Sequence, residues 1–281
     1  MDTTTLVNEF VKAFYEEDFE KELDLYYQID SQLRTNLDLK LLLRNNNEYQ
    51  HFSQEMDDVS LLLGYLIDEE DWETIAEKNE ISVSTKRKGE DFFIKCQATI
   101  HCPAINLFAI LREVDLLPSW IHTVKNSEVL FDPRENRRLL RYQYDLPWPL
   151  VNRESILAAK YIPMEELRSI LIVMGSPRHS DYLGFTLPSP EKKTRMTIPL
   201  GGTLLKATEN NECEIMFFSK TNTAVKFIPK AILNYITKSM FFNMMSELKN
   251  QAEKFDSGIY FDRVKEKQEF YERMKAIFHE D

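Results

Sequence analysis

The chain has 281 residues, of which 43% are hydrophobic, 12% aromatic and 29% charged, and this composition excludes collagen-like and low-complexity classes. The net charge is −11, but residues 1–80 hold 6 Lys/Arg and 21 Asp/Glu, so the acidity is confined to the N-terminal part. Because an acidic chain is repelled by phosphate backbones, nucleic acid is a poor candidate partner.

The first residues do not resemble a targeting segment. Residues 1–18 are acidic and lack the basic start and apolar run of a secretory signal. No uninterrupted apolar run approaches the about 18 residues that span a bilayer. Three cysteines, Cys96, Cys102 and Cys213, lack CxxC spacing and leave one unpaired. We therefore expect a cytoplasmic protein, soluble or peripheral, with reduced thiols and no metal or other cofactor.

Residues 1–67 are predicted to be helical. Leu6, Phe10 and Phe14 repeat with helical period, and a second apolar stripe with alternating three-four spacing runs from Tyr49 to Leu66. Each stripe must be buried. We expect a small helical hairpin that either packs on the rest of the chain or presents a surface to a partner.

After Trp72 the pattern changes to short alternating segments. Even-numbered residues from Phe92 to Cys102 are predicted to face a core and odd-numbered ones to face away. A helix is predicted at 103–114. The predicted strands are 81–85, 92–102, 123–131, 137–146, 153–161, 167–175, 192–199, 203–208 and 212–221, with Asp132-Pro133 and Pro163-Met164-Glu165 as turns. So many consecutive strands indicate one antiparallel sheet.

Two helices are predicted at the C-terminal end. The first begins at Pro229 and ends near Phe255; its apolar i, i+4 row is Ile232, Ile236, Met240, Met244 and Leu248. The second, at 259–279, is amphipathic and either caps the fold or binds a partner. The predicted units are therefore an acidic helical extension at 1–70, a central domain at 71–256 and a C-terminal helix at 257–281.

Catalytic signatures are missing from the sequence. GxGxxG, GxxxxGK[ST], GxSxG and HExxH do not occur, and the five histidines have no ligand-like spacing. Ser176, His179 and Asp181 lie close together in one loop, where adjacent residues rarely form a triad. We predict no catalytic residues and no enzyme activity.

Two motifs stand between residues 115 and 154. The first is DLLPSW at 115–120, and the second is LPWPLVNRE at 146–154; Ile228-Pro229 then precedes the long helix. In their order, over about residues 72–255, these features resemble the START domain family of lipid-binding proteins. The prolines of the second motif must break a strand, with Trp148 anchoring the bend. Arg153 and Glu154 are expected to pair across the next strand and to serve the fold.

The resemblance implies an α+β helix-grip fold, in which a curved antiparallel sheet wraps around the long C-terminal helix. The resemblance also implies a cavity for one lipid or sterol between the sheet and this helix. The residue patterns lead independently to a compatible shape, since a concave sheet covered by a helix commonly holds a ligand. The predicted lining residues, each of which is equally suited to solid core, are Trp120, Tyr142, Tyr144, Met174, Met196, Phe217, Ile236, Met240 and Met244.

We therefore expect a noncatalytic lipid-binding or lipid-transfer protein that encloses one phospholipid, sterol or related lipid and touches a membrane transiently. The loop at 175–190, with Gly184 as hinge and Tyr182, Leu183, Phe185 and Leu187 exposed, would make that contact; a packed loop is the alternative. A second hypothesis is a START-like scaffold subunit with a filled cavity, binding protein partners through its terminal helices. A third is a cyclase-like enzyme of the wider superfamily, which requires polar groups inside the cavity.

Overall fold

The computed structural model describes residues 2–16, 18–33, 35–146, 148, 151–190, 194–222 and 230–280. In chain order, four helices precede a large sheet, one helix interrupts the strands, and three helices follow them. The predicted α+β helix-grip class is confirmed. Pro147, Pro149 and the segment that contains Ile228-Pro229 lie outside the described residues. Within the described part, no helix is long and apolar enough to cross a membrane.

The N-terminal part forms four helices rather than the predicted hairpin. They are α1 (Thr3–Glu16), α2 (Phe19–Leu33), α3 (Leu37–Arg44) and α4 (Asn47–Ile67). Asn36 and Asn46 begin α3 and α4 by accepting hydrogen bonds from Leu39 N and Tyr49 N, at 3.0 and 2.8 Å. Because each asparagine cap starts a new helix, the apolar stripes are divided between separate helices. The four helices share a core of their own around Phe10, Phe14 and Phe52.

The main sheet has ten strands, which are β1 (Glu73–Lys78), β2 (Ile81–Lys88), β3 (Asp91–Ile100), β4 (Val124–Arg134), β5 (Arg137–Tyr144), β6 (Arg153–Met164), β7 (Ser169–Gly175), β10 (Thr194–Arg195), β11 (Leu200–Ala207) and β12 (Cys213–Asn222). Their order is β1-β2-β3-β12-β11-β7-β6-β5-β4, and β10 pairs with β6. All pairings are antiparallel except that of β10 with β6. A separate hairpin consists of β8 (Asp181–Tyr182) and β9 (Phe185–Thr186).

Several predicted strand boundaries were wrong. Pro163 and Met164 lie within β6, so the turn begins at Glu165. The predicted strand at 192–199 is reduced in the described part to the two residues of β10, which pair in parallel with Arg153 and Glu154. β1 was not predicted, because its alternation is interrupted by a bulge between Thr74 and Ala76.

Two helices lie against the inner face of the sheet, and two short helices follow them. α5 (Ala104–Arg112) and α6 (Lys230–Glu253) face the sheet's inner surface, and two short helices, α7 (Ile259–Glu266) and α8 (Gln268–Ile277), replace the single one predicted. Their apolar residues Tyr260, Phe270 and Tyr271 join the main core. The C-terminal segment therefore packs on the fold. It is further fixed by Glu280, whose carboxylate accepts hydrogen bonds from the first backbone N–H of α5 at 2.6 Å.

The outer face of the sheet is covered by α4, which the alternation in β3 did not reveal. Phe93 and Lys95, predicted to face away from a core, are both buried because α4 packs over them. The ammonium of Lys95 donates to the backbone oxygens of Leu66 and Asp68 at the end of α4, where carbonyls lack helical partners. The central strands are thus buried on both faces. Cys96, Cys102 and Cys213 are buried and unpaired.

A buried ionic network joins the N-terminal helices to the sheet. The fully buried guanidinium of Arg137 donates to Glu22 of α2 at 2.8 Å and to Glu55 of α4 at 2.9 Å. Lys160 of β6 also donates to Glu55. Two cations of the sheet therefore neutralise two carboxylates of the extension, which is the arrangement that makes buried charges tolerable. We define Glu22, Glu55, Arg137 and Lys160 as the outer-face ion network.

Candidate functional site

A cavity of about 600 Å³ lies between the inner face of the sheet and α6. Strands β3, β5, β6, β7, β11 and β12 contribute its wall, α6 contributes the opposite side, and α5 adds Leu111. In β6 the residues that reach it alternate along the strand, since Leu157, Ala159 and Tyr161 line it. The hollow is therefore built from the sheet's inward-facing set.

All nine residues that the sequence singled out lie on this wall. Tyr142, Tyr144, Met174 and Phe217 lie at inward-facing positions of the strands. Ile236, Met240 and Met244 lie on successive turns of α6. Trp120 and Met196 lie in the connecting segments. Their presence at the cavity agrees with the two periodicities used to choose them. Contact with a ligand remains a prediction for each.

Sequence reasoning missed other wall residues. Phe92 and Ile94 of β3 line the cavity, as do Leu140, Leu157 and Ile172 on neighbouring strands. The alternation in β3 places Phe92 and Ile94 on the core-facing side, so the sequence pattern was sufficient to predict them as wall residues. The other three lie in strands buried on both faces, where alternation is hidden.

Two aromatic side chains of the wall form hydrogen bonds with neighbouring side chains. The Trp120 indole N–H donates to the Tyr260 hydroxyl at 2.7 Å, and the hydroxyls of Tyr144 and Ser155 are 3.1 Å apart. The rings of Tyr142 and Tyr144 stack with centroids 6.1 Å apart. Burial raises the pKa of Tyr144 to about 12, although its hydrogen bond with Ser155 opposes that shift. The Tyr144 phenol therefore stays neutral at physiological pH.

The charged side chains of the described cavity wall are arginines. Among the described lining residues, Arg153 and Arg195 are the charged ones, and no Asp, Glu, Lys, His or Cys is found there. Arg153 and Glu154 were expected to pair across the next strand, and Glu154 does so. The fully buried Glu154 accepts from Arg195 of the neighbouring strand β10, at 3.0 Å from Nε and 2.7 Å from Nη2. No described residue forms such a pair with Arg153.

The loop at 175–190 does not expose the apolar surface that the sequence suggested. Tyr182 is only 5% exposed, and it packs with Leu139 and Ile156 on the outer face of the sheet. Leu183, Phe185 and Leu187 join the same cluster. The alternative of a packed loop is therefore correct, and the membrane-contacting role assigned to this loop is withdrawn.

The loop holds no triad geometry. The Ser176 hydroxyl accepts a hydrogen bond from Ile198 N at 3.0 Å, and the Asp181 carboxylate accepts from Gly184 N at 2.9 Å. Asp181 thus stabilises the loop's own backbone, and Ser176 joins the start of the loop to the segment before β11. Across the residues that the structure describes, no cluster of three His, Cys, Asp or Glu side chains could hold a metal ion.

Solved structures of other proteins share this architecture. Human StAR-related lipid transfer protein 5 matches with a TM-score of 0.63 and 14% identity, over 73% of this chain and 99% of that one. Human STARD10 matches with a TM-score of 0.60 and 20% identity, over 80% and 86%. A STAR-related lipid transfer protein from Xanthomonas axonopodis matches with a TM-score of 0.53 and 17% identity, over 66% and 99%.

No family model and no curated protein matches the chain in sequence. At 14–20% identity the structural matches establish the fold. The fold is START-like, as the motifs at 115–120 and 146–154 predicted.

Proposed function

We propose that this chain is a noncatalytic lipid-binding or lipid-transfer protein that encloses one hydrophobic ligand between the sheet and α6. The observation that carries the proposal is the cavity of about 600 Å³ with its apolar, aromatic and methionine-rich wall. Its size falls within the roughly 300–1,000 Å³ of small-molecule sites. The names of the similar structures, which are lipid transfer proteins, support the same ligand class.

Desolvation of the ligand would supply the binding free energy. Each methylene moved from water into an apolar site contributes about 0.8 kcal/mol, so a long acyl chain or a sterol skeleton binds strongly without specific polar contacts. Met174, Met196, Met240 and Met244 suit an irregular ligand, because an unbranched thioether adapts its shape at small cost. The ligand is a phospholipid, a sterol or a related lipid.

Transfer also requires a transient contact with a membrane in the cytoplasm. Two exposed apolar residues favour the β5–β6 connection for this contact: Trp148 is 89% exposed and Val151 is 57% exposed. They stand beside Leu146 and Arg153, which line the cavity. Tryptophan is favoured at membrane surfaces because its ring is apolar and its N–H is polar.

The composition of the wall supports a noncatalytic role. General acid–base and nucleophilic catalysis need a titratable side chain at the substrate. The described lining residues include no carboxylate, imidazole, amine or thiol. A cyclase-like reaction would have to rely on the phenols and arginines of the wall.

A vesicle assay tests the proposal. The full chain is mixed with donor vesicles of phosphatidylcholine that contain a fluorescent phospholipid or sterol, and with unlabelled acceptor vesicles. We expect protein-dependent transfer of at least one probe and its recovery bound to the protein. Failure of every probe to transfer or to bind would contradict the proposal.

A scaffold subunit is the second candidate, and one observation favours it. Leu37 and Leu41, one turn apart on α3, are 69% and 58% exposed on a strongly acidic extension. An exposed apolar pair ringed by charge is typical of a protein interface. A chain that binds no lipid, yet loses a protein partner on the substitution Leu41→Ser, would favour this candidate over a carrier.

A further inference from the structure

The charge of the cavity wall is unbalanced. Two arginines and no acidic residue line it among the residues that the structure describes. Placing a guanidinium beside apolar surface is unfavourable unless an anion or several acceptors compensate it. What compensates each arginine therefore bears on the chemistry of the ligand.

Arg195 is compensated by the protein. Two of its nitrogens donate to Glu154 Oε1, and Nη1 donates to the backbone oxygen of Pro188 at 2.9 Å. Glu154 is fully buried, and its negative charge lies directly against Arg195, although Oε2 accepts no hydrogen bond from the described residues. Arg195 thus needs no charge from a ligand.

Arg153 has no such partner. It begins β6 on the inward-facing side, opposite Tyr144 of β5 and beside Thr194 of β10. Its side chain is half-buried and lines the cavity, and no described residue forms a hydrogen bond or an ion pair with it. The adjacent carboxylate of Glu154 forms its ion pair with Arg195 and not with Arg153. Arg153 therefore offers free N–H donors and an uncompensated positive charge to the cavity.

We propose that Arg153 binds a single anionic group, a carboxylate or a phosphate, on a lipid whose hydrocarbon part fills the apolar remainder of the cavity. This inference rests on the proposed function and names the chemical class of its ligand. The planar guanidinium matches both anions with two parallel hydrogen bonds, which a neutral alcohol or sterol hydroxyl does not provide. Arg153 is then a specificity-determining residue, and neutral lipids of equal length bind more weakly.

Two probes of equal chain length test the inference on the unmodified protein. Oleate and oleyl alcohol differ mainly in the charged group, and isothermal titration calorimetry at pH 8 compares their dissociation constants. We expect oleate to bind more tightly by about tenfold or more, the ratio that a charge-assisted hydrogen bond typically contributes. The pair 1-oleoyl lysophosphatidate and 1-monooleoylglycerol repeats the comparison for phosphate. Inorganic phosphate alone should bind weakly, because it lacks the chain.

Substitutions assign the preference to Arg153. Arg153→Gln should reduce oleate affinity about tenfold while leaving that for oleyl alcohol within about twofold, and Arg153→Lys should retain part of the preference because it keeps the charge. Arg44→Gln removes the same charge from the exposed end of α3 and should change neither affinity. Circular dichroism confirms that each variant is folded.

The outcomes separate this inference from the proposed function. Equal affinities for the charged and neutral probes on the unmodified protein would overturn the role of Arg153 and leave lipid binding intact. A preference for oleate that survives Arg153→Gln would also overturn it. If neither member of either pair binds, the carrier function itself fails.

Discussion

Gly202 shows how a single residue sets the distance between two layers of this fold. It lies in β11, and a methyl group built at this position would collide with the backbone oxygen of Ile172 and with the side chain of Leu62. Leu62 is a fully buried residue of α4. The absence of a side chain in β11 therefore lets α4 pack directly on the sheet.

We predict that Gly202→Ala lowers the free energy of unfolding by about 2 kcal/mol, as expected when a packed interior is overfilled. Gly64→Ala is the matched control, because the exposed Gly64 lies within α4 and has nothing within 4 Å of the added methyl. It should raise stability by about 0.5–1 kcal/mol. Urea titration followed by circular dichroism measures both. A neutral Gly202→Ala would show that α4 does not pack this closely.

The elements of the extension are joined to the sheet by charge as well as by apolar contacts. In the outer-face ion network, two helices provide Glu22 and Glu55, and two strands provide Arg137 and Lys160. Removing one partner of a buried pair leaves its counterpart uncompensated, which usually costs more than the pair contributed. The network therefore makes docking of α2 and α4 specific to this face.

Glu55→Gln tests the attachment of these helices. The substitution keeps the shape but leaves Arg137 and Lys160 with Glu22 as the remaining carboxylate, so we expect a loss of about 3 kcal/mol. Asp57→Asn, two residues away on the exposed side of α4, should change stability by less than about 0.5 kcal/mol. Hydrogen exchange should accelerate in α1–α4 before it does in the sheet. Uniform acceleration would contradict a separately attached layer.

The same carboxylate gives a pH dependence. Burial alone would raise the pKa of Glu55, but the charges of Arg137 and Lys160 outweigh it and hold that pKa well below the ordinary 4.5. A depressed carboxylate pKa stabilises the fold above the unfolded value, and this contribution is lost as pH falls through the folded value. Stability should therefore fall below about pH 4.5, and Glu55→Gln should flatten the fall. Equal acid sensitivity in both proteins would contradict this origin.

Strand and helix periodicity predicted which residues of an element share a face, but not which other elements pack against it. The i, i+4 row in α6 and the alternation in β5 placed Met240, Met244 and Tyr142 on the cavity wall. The burial of Phe93 and Lys95 was missed because alternation reports one face of a strand and carries no sign of a helix from elsewhere in the chain. The pairing of Glu154 with Arg195 was missed for a related reason, since 41 residues separate them.

At the scale of the whole molecule, the sheet is a shared wall between two different interiors. Its outer face is filled by α4 and the packed loop around Tyr182, while its inner face meets α6 across a hollow. The order of the strands and the motifs at 115–120 and 146–154 were sufficient to predict the sheet and the long helix on its inner face, but not the layer on its outer face. The sequence did not reveal whether the inner side is filled, because the same apolar residues suit a solid core or a cavity.

Native mass spectrometry tests the central claim most directly. After incubation of the purified protein with phosphatidylcholine vesicles that contain lysophosphatidate and cholesterol, we predict one lipid bound per chain. Ala159→Phe places a ring in the cavity and should abolish the bound mass, whereas Ala276→Phe on the exposed face of α8 should retain it. A folded protein that carries no lipid, or an Ala159→Phe variant that carries as much as the unmodified chain, would contradict the account.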